Sequence, residues 1–473
     1  MRGLHWFRDD LRLTNNPALQ GLFEQVDEWA AVFVVEPRLI SRDKTPDKRT
    51  RFLLDCLDSL RGDLSAQGVS LIIVKGPAET EIPRLMGELS ASILSFNTGV
   101  SPFAKTRDER VRRAVEKASG RVIPCQDNVI FSAQDIRTKN GSAYTVYTPY
   151  RKSWWKRYAQ NEPAQVPTGQ FPRPIRNIVF DDATRLLQPD RKAAMTPRPA
   201  GGERVAQDRL GAFLEGPVAA YALDRDRPDR DGTSRLSAHL RFGTVSVREC
   251  FSKGLTAGRD DPARTEGAGR WLDELVWREF YSAILEEHPR VLRENYRPEY
   301  ETLAWRNDTR EFEAWCEGRT GFPIVDAGIR QLRATGWMHN RVRMITASFL
   351  TKDLLIDWRL GEQFFFEHLV DGDPASNNGG WQWAASTGTD AQPFFRIFNP
   401  WRQAQRWDPE GDYVRRWVTE LQDLPADRIH GPHCGPSFRG DYPPPMIDHA
   451  VRGKEALQAY RHARELGRKK QTP

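Results

Sequence analysis

Five short apolar runs recur through the first 130 residues, and this spacing restricts the fold more than any other feature of the sequence. The runs are Gly3–Phe7, Ala30–Val35, Ser70–Val74, Ser92–Phe96 and Arg121–Pro124. Amphipathic stretches such as Asp47–Gln67, with apolar residues at helical spacing, lie between them. Strand–helix alternation of this kind predicts a doubly wound parallel α/β sheet over residues 1–130. Neither a GxGxxG turn after the first strand nor a P-loop is present.

A second, all-α domain is predicted after a proline-rich connection. Residues 159–203 carry seven prolines, a density that prevents long helices. Beyond them the pattern is helical almost to the end. We therefore predict a connecting region at 131–203, a helical domain at 204–460 and a basic tail at 461–473. A chain of 473 residues exceeds one ordinary core, in keeping with two domains.

Charge, cysteine usage and hydropathy exclude several classes of protein. The net charge of +6 permits a nucleic-acid partner without requiring one. No apolar run approaches the ~18 residues of a membrane span, and the first ten residues are too charged for a signal peptide. The five cysteines are far apart with no CxxC pair, which argues against disulfides, zinc and iron–sulfur clusters. We expect a cytoplasmic monomer with reduced thiols.

Tryptophan is concentrated in the predicted helical domain. The chain has 15 tryptophans, and 11 of them lie between Trp271 and Trp417. Tryptophan is a demanding core residue because its indole N–H needs a partner. From composition alone, a helical core that uses tryptophan is favoured, with ligand stacking or electron transfer as the alternative.

The segment Asp231–Ser237 has the composition of an anion site. Thr233, Ser234 and Ser237 stand at the start of the apolar helical stretch Leu236–Phe242. Hydroxyls and free backbone N–H groups at a helix start can bind a phosphate. The segment fits a diphosphate cradle or, more commonly, a plain helix cap.

A second segment, Trp271–Phe280, places unlike side chains on one helical face. Glu274, Trp277 and Arg278 are three and four residues apart and so share that face. Together they could line a wet pocket for a nucleobase. The commoner alternative is a half-buried helix with a salt bridge between Glu274 and Arg278.

A third segment, Trp337–Met344, combines a thioether with polar groups. Asn340 and Met344 share a helical face that Arg341 and Arg343 flank. Methionine beside polar groups can fill an irregular pocket against aromatic rings. An ordinary amphipathic helix with basic residues outward is the alternative.

The fourth segment, Asp371–Asp390, joins loop-forming residues to two tryptophans. The spacing of Asp371 and Asp373 could suggest a metal, but the glutamate of a calcium loop is missing and no histidine joins the pair, so we expect no metal. If a helix follows the glycines, Trp381 and Trp383 point about 200° apart. That divergence fits two roles better than one.

Taken in order, these segments resemble the photolyase/cryptochrome family from end to end. The matching segments are Trp6–Arg12, Thr233–Ser237, Trp277–Phe280, Trp337–Asn340, Asp371–Trp383, Phe395–Pro400 and Trp407–Val414. Within the family, the chain is most similar to the microbial class I branch, which repairs cyclobutane pyrimidine dimers in DNA. The resemblance implies an N-terminal α/β antenna domain and a C-terminal helical FAD-binding domain.

The resemblance also implies the cofactor and its ligands. FAD would lie folded in a U shape within the helical domain. The residues that match its binding set are Tyr221, Thr233, Ser234, Arg235, Leu236, Ser237, Trp271, Arg278, Asn340, Arg343, Asp371, Asp373 and Asn377. Arg343 and Asp371 would pair near the isoalloxazine. The Asn377 oxygen would accept a hydrogen bond from flavin N5–H.

The reaction follows from the same resemblance. Excited, fully reduced FAD gives one electron to a dimer that has been flipped out of the duplex, and the electron returns after two carbon–carbon bonds split. Trp277 and Trp383 match the indoles that sandwich the dimer. Glu274 matches the carboxylate at the pyrimidine edge, and Asn340 and Met344 match pocket walls.

Two further sets of residues are carried over from the family. Arg341, Arg396 and Arg402 are candidates for DNA phosphate contacts. Trp305, Trp358 and Trp381 match a tryptophan relay that carries electrons inward to oxidised FAD.

Three alternatives remain at this stage. A cryptochrome-like blue-light photoreceptor shares the scaffold, but Glu274 with Trp277, Asn377, and the lack of a long extension after the helical domain favour repair. A (6-4) photolyase would show a second histidine after His339, where Asn340 stands. A non-catalytic flavin- or nucleotide-binding protein would make the sandwich and relay residues coincidental.

The antenna chromophore stays open. Folate-type relatives use an Asn-Glu pair and a Cys-Lys pair, whereas Asp108-Glu109 and Leu292-Arg293 stand in the matching stretches here. Methenyltetrahydrofolate, a deazaflavin, a flavin and an empty site are all compatible with the sequence.

Overall fold

The first domain is built on five parallel strands. In this computed structural model, the described residues are 1–37, 47–163, 165–167, 169–176, 183–184, 199–431 and 441–471. The strands are β1 (Arg2–Phe7), β2 (Glu28–Val35), β3 (Leu71–Lys75), β4 (Ile93–Thr98) and β5 (Arg121–Gln126). Their order is β3-β2-β1-β4-β5 and every pairing is parallel, which confirms the doubly wound sheet. Each predicted run overlaps one strand.

Helices cover both faces of this sheet. They are α1 (Pro17–Phe23), α2 (Asp47–Ala66), α3 (Ala78–Glu88) and α4 (Pro102–Lys117). Alternate residues of β2 enter two different cores: Ala31 and Phe33 pack with α1 and α2, whereas Val32 and Val34 pack with α3 and α4. Burial on both faces explains why β2 reads as a continuous apolar run.

The connecting region carries more structure than its prolines predict. Helix α5 (Tyr147–Gln160) forms before the proline-rich part and packs against the helical domain. The two-residue strand β6 (Arg173–Pro174) pairs with β2 at the edge of the sheet. The predicted proline-rich segment lies partly outside the described residues.

From α6 onward, the described residues contain helices and no strand, as predicted. The helices are α6 (Glu203–Glu215), α7 (Tyr221–Asp224), α8 (Ser237–Phe242), α9 (Val247–Asp260), α10 (Thr265–Glu287), α11 (Thr309–Glu317), α12 (Pro323–Thr335), α13 (Asn340–Ser348), α14 (Trp358–His368), α15 (Pro374–Ala384), α16 (Pro400–Trp407), α17 (Asp412–Trp417), α18 (Ala426–Ile429) and α19 (His449–Gln471). Helix α19 crosses the predicted start of the basic tail at residue 461.

The helical domain has two main cores. One forms around α5, α6, α9 and α10, with Trp277 packed at its edge. The other forms around α12, α13, α14 and α15, with Trp383 packed at its edge. Helices α10 and α15 contact each other, so these two edges are brought toward one region.

Other sequence expectations concern thiols, metals and membranes. Cys125, Cys250 and Cys316 are free thiols, and Cys434 lies outside the described residues. Within the described ranges, no group of three acidic, histidine or cysteine side chains could hold a metal ion. No helix in that part of the chain is long and apolar enough to span a bilayer.

The two domains meet at a tight turn between α8 and α9. The Leu11 backbone N–H donates to the Phe242 carbonyl at 3.1 Å, and Arg12 donates to the Gly243 carbonyl at 3.0 Å. Arg12 also pairs with buried Asp127 at 2.6 Å. Gly243 has φ of 64°, and a Cβ there would lie 2.0 Å from the Asp9 carbonyl oxygen. Only glycine satisfies both this backbone conformation and this close approach.

We predict that Gly243→Ala destabilises the protein by about 2–4 kcal/mol, because a left-handed conformation and an overpacked backbone contact add together. Thermal unfolding followed by circular dichroism measures the change. Gly62→Ala is the matched control, since Gly62 lies inside α2 with nothing within 4 Å of the added methyl group. An unchanged melting temperature for Gly243→Ala would show that this domain contact is not tight.

Candidate active site

Glu274 pairs with a residue that the sequence did not suggest. Its Oε1 lies 2.8 Å from Arg225, on the chain just after α7. Burial raises the pKa of the Glu274 carboxyl, and Arg225 opposes that rise. The alternative salt bridge to Arg278 is wrong, because Arg278 donates to the Asn128 carbonyl in the segment between β5 and α5. Glu274 is half-buried, so a ligand can reach it.

Trp277 lies one turn after Glu274 on α10 and stacks on an unexpected partner. The ring of Tyr147, the first residue of α5, is 3.6 Å away by centroid and inclined by 11°. Phe280 and Tyr281 contact the indole from the side. Trp277 remains half-buried, and its orientation is fixed by aromatic neighbours. Tyr147 has no motif around it that sequence reasoning could have used.

Trp381 and Trp383 face different surroundings, as their spacing on α15 predicts. Trp381 is buried and packs edge-on against Phe365, with ring centroids 4.9 Å apart. A Cβ on Gly361 of α14 would lie 2.2 Å from the Trp381 ring, so the two helices are in close contact there. Trp383 is half-buried at the edge of the core.

The turn before α15 contains an ion pair and, in the described structure, a carboxylate oxygen that accepts no hydrogen bond. Arg343 pairs with Asp371 at 2.8 Å and donates to the Met338 carbonyl at 2.8 Å. The second Asp371 oxygen, Oδ1, is buried and has no hydrogen-bond partner among the described residues. Asp373 is used as the cap of α15, where it accepts from the Ser376 N–H at 2.8 Å.

Asn377 is oriented by a neighbouring helix. Its Nδ2 donates to the Glu362 carbonyl of α14 at 3.0 Å. With the nitrogen in use, the side-chain oxygen is the group left to accept a hydrogen bond. Sequence reasoning missed Glu362, whose carboxyl has its pKa raised to about 7 by burial while a bond from Asn378 lowers it.

The hydroxyl segment is not a plain helix cap. Helix α8 begins at Ser237 without any side-chain capping bond, so the commoner interpretation of this segment is wrong. Ser234 instead accepts from the Trp271 indole N–H at 3.2 Å. Trp271 packs on Phe213, and so does buried Tyr221. Leu236 is buried, and Thr233 is half-buried beside it.

Arg235 has a left-handed backbone and reaches toward the α12–α13 turn. Its φ is 51°, its Nε pairs with Asp231 at 2.9 Å, and its guanidinium carbon lies 5.0 Å from the centre of the Trp337 ring. The segment 233–237 is thus joined to α10 through Trp271 and to the Trp337–Met344 segment through Arg235.

Helix α13 presents the third segment. The Asn340 amide lies 4.0 Å from the Met344 sulfur. Buried His339 caps the helix by accepting from the Arg341 N–H, and burial lowers its pKa to about 4. Arg341 pairs with Asp226 at 2.8 Å and lies over the Trp407 ring at 4.7 Å.

Arg396 and Arg402 are exposed, and the described structure gives neither an ion pair. Arg402 and Arg406 are one turn apart on α16, and Arg406 is exposed too. Sequence reasoning missed Arg406. The signal that could have found it is the four-residue spacing of two arginines on a short helix.

Trp358 lies in the same apolar core as Trp381, and Trp305 packs against that core. Trp358 begins α14, is fully buried, and donates to the Asn295 oxygen at 2.8 Å. Trp305 is half-buried in the segment before α11. The next residue, Arg306, donates its backbone N–H to the Leu355 carbonyl at 2.7 Å, just before α14. Burial thus decreases from Trp381 and Trp358 to Trp305.

Comparison with known families identifies this arrangement. A family model described as DNA photolyase matches residues 3–169. A second model, described as the FAD binding domain of DNA photolyase, matches residues 271–462. The chain belongs to the DNA photolyase family.

Individual relatives extend the match to nearly the whole chain. A deoxyribodipyrimidine photo-lyase from Halobacterium salinarum is 39% identical over 98% of this chain and 99% of the relative. The crystal structure of a bacterial class III photolyase from Agrobacterium tumefaciens is 34% identical, with a TM-score of 0.90 and 98% of each chain covered. A Synechocystis cryptochrome structure is 26% identical, with a TM-score of 0.86, and covers 97% of this chain and 99% of its own.

FAD is the cofactor that this domain family implies, and the residues present fit it. The buried, unpartnered Oδ1 of Asp371 is an acceptor that a polar ligand would satisfy. Asn377 offers a second acceptor. The hydroxyls of Thr233 and Ser237 are not used as caps of α8 and remain for a diphosphate.

We predict that Asp371→Asn weakens FAD binding by roughly 1.5–3 kcal/mol, the range for a hydrogen bond to a charged group. The ratio of flavin to protein absorbance after purification measures retention. Asp412→Asn, on exposed Asp412 of α17, is the matched control. Full flavin content in Asp371→Asn would remove Asp371 from the binding set.

Proposed function

We propose that this protein repairs cyclobutane pyrimidine dimers in DNA by light-driven electron transfer, as a deoxyribodipyrimidine photo-lyase. The observation that carries the proposal is the half-buried carboxyl of Glu274, held by Arg225 one turn before the Trp277 indole. It is supported by the likeness to a deoxyribodipyrimidine photo-lyase across nearly the whole length of both chains.

Each wall of the proposed dimer pocket has a distinct task. Trp277 and Trp383 stack on the two faces of the flipped dimer, and stacking on an aromatic side chain contributes about 1–3 kcal/mol per base. Glu274, with its raised pKa, hydrogen-bonds the polar edge of a pyrimidine. Asn340 and Met344 form a polar and an apolar wall on α13.

DNA is bound by arginines around the pocket. Arg396 and Arg402 are exposed and contact phosphates, which contributes affinity but no sequence preference. Arg341 contributes in the same way, held by Asp226 and by the Trp407 ring. Exposed Arg406 extends the same surface on α16.

The flavin pocket is made by residues that hold the ring system and by a larger set around the rest of the cofactor. When bound in its reduced form, FAD supplies a light-excited one-electron donor, and the electron returns after the two carbon–carbon bonds of the dimer split. Arg343, Asp371 and Asn377 hold the ring system. The remaining ligands are Tyr221, Thr233, Ser234, Arg235, Leu236, Ser237, Trp271 and Asn340, together with Asp373 after some rearrangement of its capping bond. Arg278 is the weakest member, because its side chain is already bonded to the connecting region.

Trp381, Trp358 and Trp305 form the proposed relay. Close contact between Gly361 and Trp381 brings the turn that begins at Trp358 against the innermost indole. Trp305 is the most exposed of the three indoles, and it passes electrons from the surface to the interior. Its role is to reactivate oxidised enzyme, and it takes no part in dimer splitting.

A second chromophore is proposed in a cavity of about 300 Å³ at the carboxyl ends of β4 and β5. This lies beside the point where the strand order reverses, where open α/β sheets bind ligands. Its wall combines Phe96 and Val129 with Lys105, Glu109 and Glu286. The volume suits one fused-ring chromophore such as a pterin, a deazaflavin or a flavin ring.

The location and assembly of the protein are part of the proposal. The free thiols of Cys125, Cys250 and Cys316 fit a reducing compartment, and we infer a cytoplasmic monomer acting on DNA that contains pyrimidine dimers. The structural likeness to a Synechocystis cryptochrome keeps a blue-light photoreceptor as the second candidate function.

Illumination of the reduced protein with a dimer-containing oligothymidylate tests the main proposal. We predict light-dependent recovery of thymine absorbance, and a severalfold lower yield in Glu274→Ala with FAD still bound, because the contact to the pyrimidine edge is lost. Glu266→Ala, at an exposed position in the first turn of α10, is the control. Bound FAD without recovery of thymine absorbance would favour the photoreceptor. An absorption peak outside the flavin bands would reveal the second chromophore.

The relay has its own test. We predict that Trp305→Phe blocks light-driven reduction of oxidised enzyme, because phenylalanine is much harder to oxidise, while chemically reduced Trp305→Phe repairs dimers normally. Absorbance of the bound flavin follows the first measurement and thymine absorbance the second. Normal photoreduction would mean that another donor replaces Trp305.

A further inference from the structure

One face of α5 is directed at a single residue of α10. Tyr147, Arg151 and Trp155 are four residues apart and therefore lie on one side of the helix. The Tyr147 hydroxyl donates to the Asp273 carbonyl at 2.8 Å. Arg151 and the Trp155 indole donate to the Asp273 carboxylate at 2.6 and 3.1 Å. Asp273 directly precedes Glu274, so α5 is anchored where the proposed dimer pocket begins.

Tyr147 also contacts Trp277 of α10 and the loop that follows α15. Its ring stacks on Trp277 with centroids 3.6 Å apart and an angle of 11°. Its backbone N–H donates to the Asp390 carboxylate at 3.3 Å, in the loop that follows Trp383. Tyr147 is itself buried, so it makes these contacts as a fixed wall and does not line the pocket opening.

We propose that Tyr147 is a positioning residue for dimer recognition, which holds the Trp277 indole at the angle needed to stack on a flipped pyrimidine dimer. The inference rests on the proposed function and adds to it an element from the connecting region. One face of the indole is covered by Tyr147, which directs the dimer to the other face. The hydroxyl bond to Asp273 fixes the tyrosine ring relative to the α10 backbone that carries both Glu274 and Trp277.

Preorganisation explains why such a residue matters. An indole that must be immobilised when the ligand arrives adds an entropic cost to binding, and a prealigned one does not. An indole that is free to rotate loses part of its stacking interaction with the dimer. Loss of the prealigned indole therefore weakens the binding of dimer-containing DNA, whereas undamaged DNA, which binds through its phosphates, keeps its affinity.

The test compares dissociation constants of the FAD-loaded protein in the dark for one oligothymidylate with and without a cyclobutane dimer. We expect Tyr147→Ala to weaken binding of the dimer-containing strand about five- to tenfold, within the range of one aromatic–base stack. Binding of the undamaged strand stays within about twofold. If the alanine variant folds poorly, Tyr147→Leu takes its place, because it keeps most of the apolar volume but has no planar ring. We expect it to show the same loss of affinity for the dimer-containing strand.

Conservative replacement and a matched control define the mechanism further. Tyr147→Phe keeps the stack and should restore most of the dimer affinity that Tyr147→Ala loses. Tyr144→Ala removes a neighbouring half-buried tyrosine that packs on Tyr150 and has no described contact with Trp277, and it should bind the dimer like the wild type.

A double-mutant cycle with Trp277→Ala decides whether Tyr147 acts through the indole. If it does, Tyr147→Ala has no further effect in the Trp277→Ala background. Additive losses, equal losses for undamaged DNA, or unchanged dimer affinity in Tyr147→Ala would each overturn the inference. A wild-type protein with no preference for the dimer would instead overturn the proposed function, and the inference with it.

Discussion

The close approach of α15 to α10 is the contact on which the candidate site depends. A Cβ on Gly379 would lie 2.1 Å from the Tyr281 ring, so any larger residue would force the helices apart. This approach brings the core edge that carries Trp383 toward the core edge that carries Trp277. The Gln382 amide adds a polar contact by donating to the Val291 carbonyl at 2.9 Å, beyond the end of α10. Glycine is selected here for the space that it leaves, and its conformational freedom is secondary.

The turn that carries Asp371 is stabilised from outside its own domain. Arg241 of α8 donates to the Gly372 carbonyl at 3.1 Å and pairs with Asp9 of the α/β domain at 2.7 Å. Arg49 of α2 donates to the Leu369 carbonyl at 3.0 Å. The α/β domain thus supports the turn that carries Asp371 in two ways, through Arg49 at the end of α14 and through Asp9, which pairs with Arg241. Disturbing this domain contact would therefore reach the turn that carries Asp371.

The local sequence pattern was enough to predict the secondary-structure elements, and the family resemblance supplied the motifs of the site. Contacts between residues that are far apart in the sequence could not be predicted in this way. The apolar runs located β1 to β5, and the spacing of Trp381 and Trp383 indicated their divergence, since both follow from fixed periodicities. The expected salt bridge of Glu274 with Arg278 is absent because Arg225, 49 residues earlier in the chain, reaches Glu274 through tertiary packing. Tyr147 gave no signal for the same reason. Its function depends on α5 folding onto α10, and the prolines that follow α5 indicated an extended connection.

Burial decides between the two explanations of the tryptophan enrichment, one residue at a time. Trp315 is fully buried and its indole donates to the Thr346 carbonyl at 3.2 Å, so it fills the core with its polar atom satisfied. Trp381 is equally buried, yet its indole N–H has no partner in the described structure. Trp277 and Trp383 stay half-buried at core edges, where an indole face can still receive a ligand. Buried Trp6 and Trp29 of the α/β domain also have no partner for the indole N–H in the described structure, so this feature does not separate the two roles. The partly exposed rings of Trp277 and Trp383 are what a packing role alone does not require. In the proposed function the enrichment serves both purposes, with the core holding in place the indoles that contact the dimer.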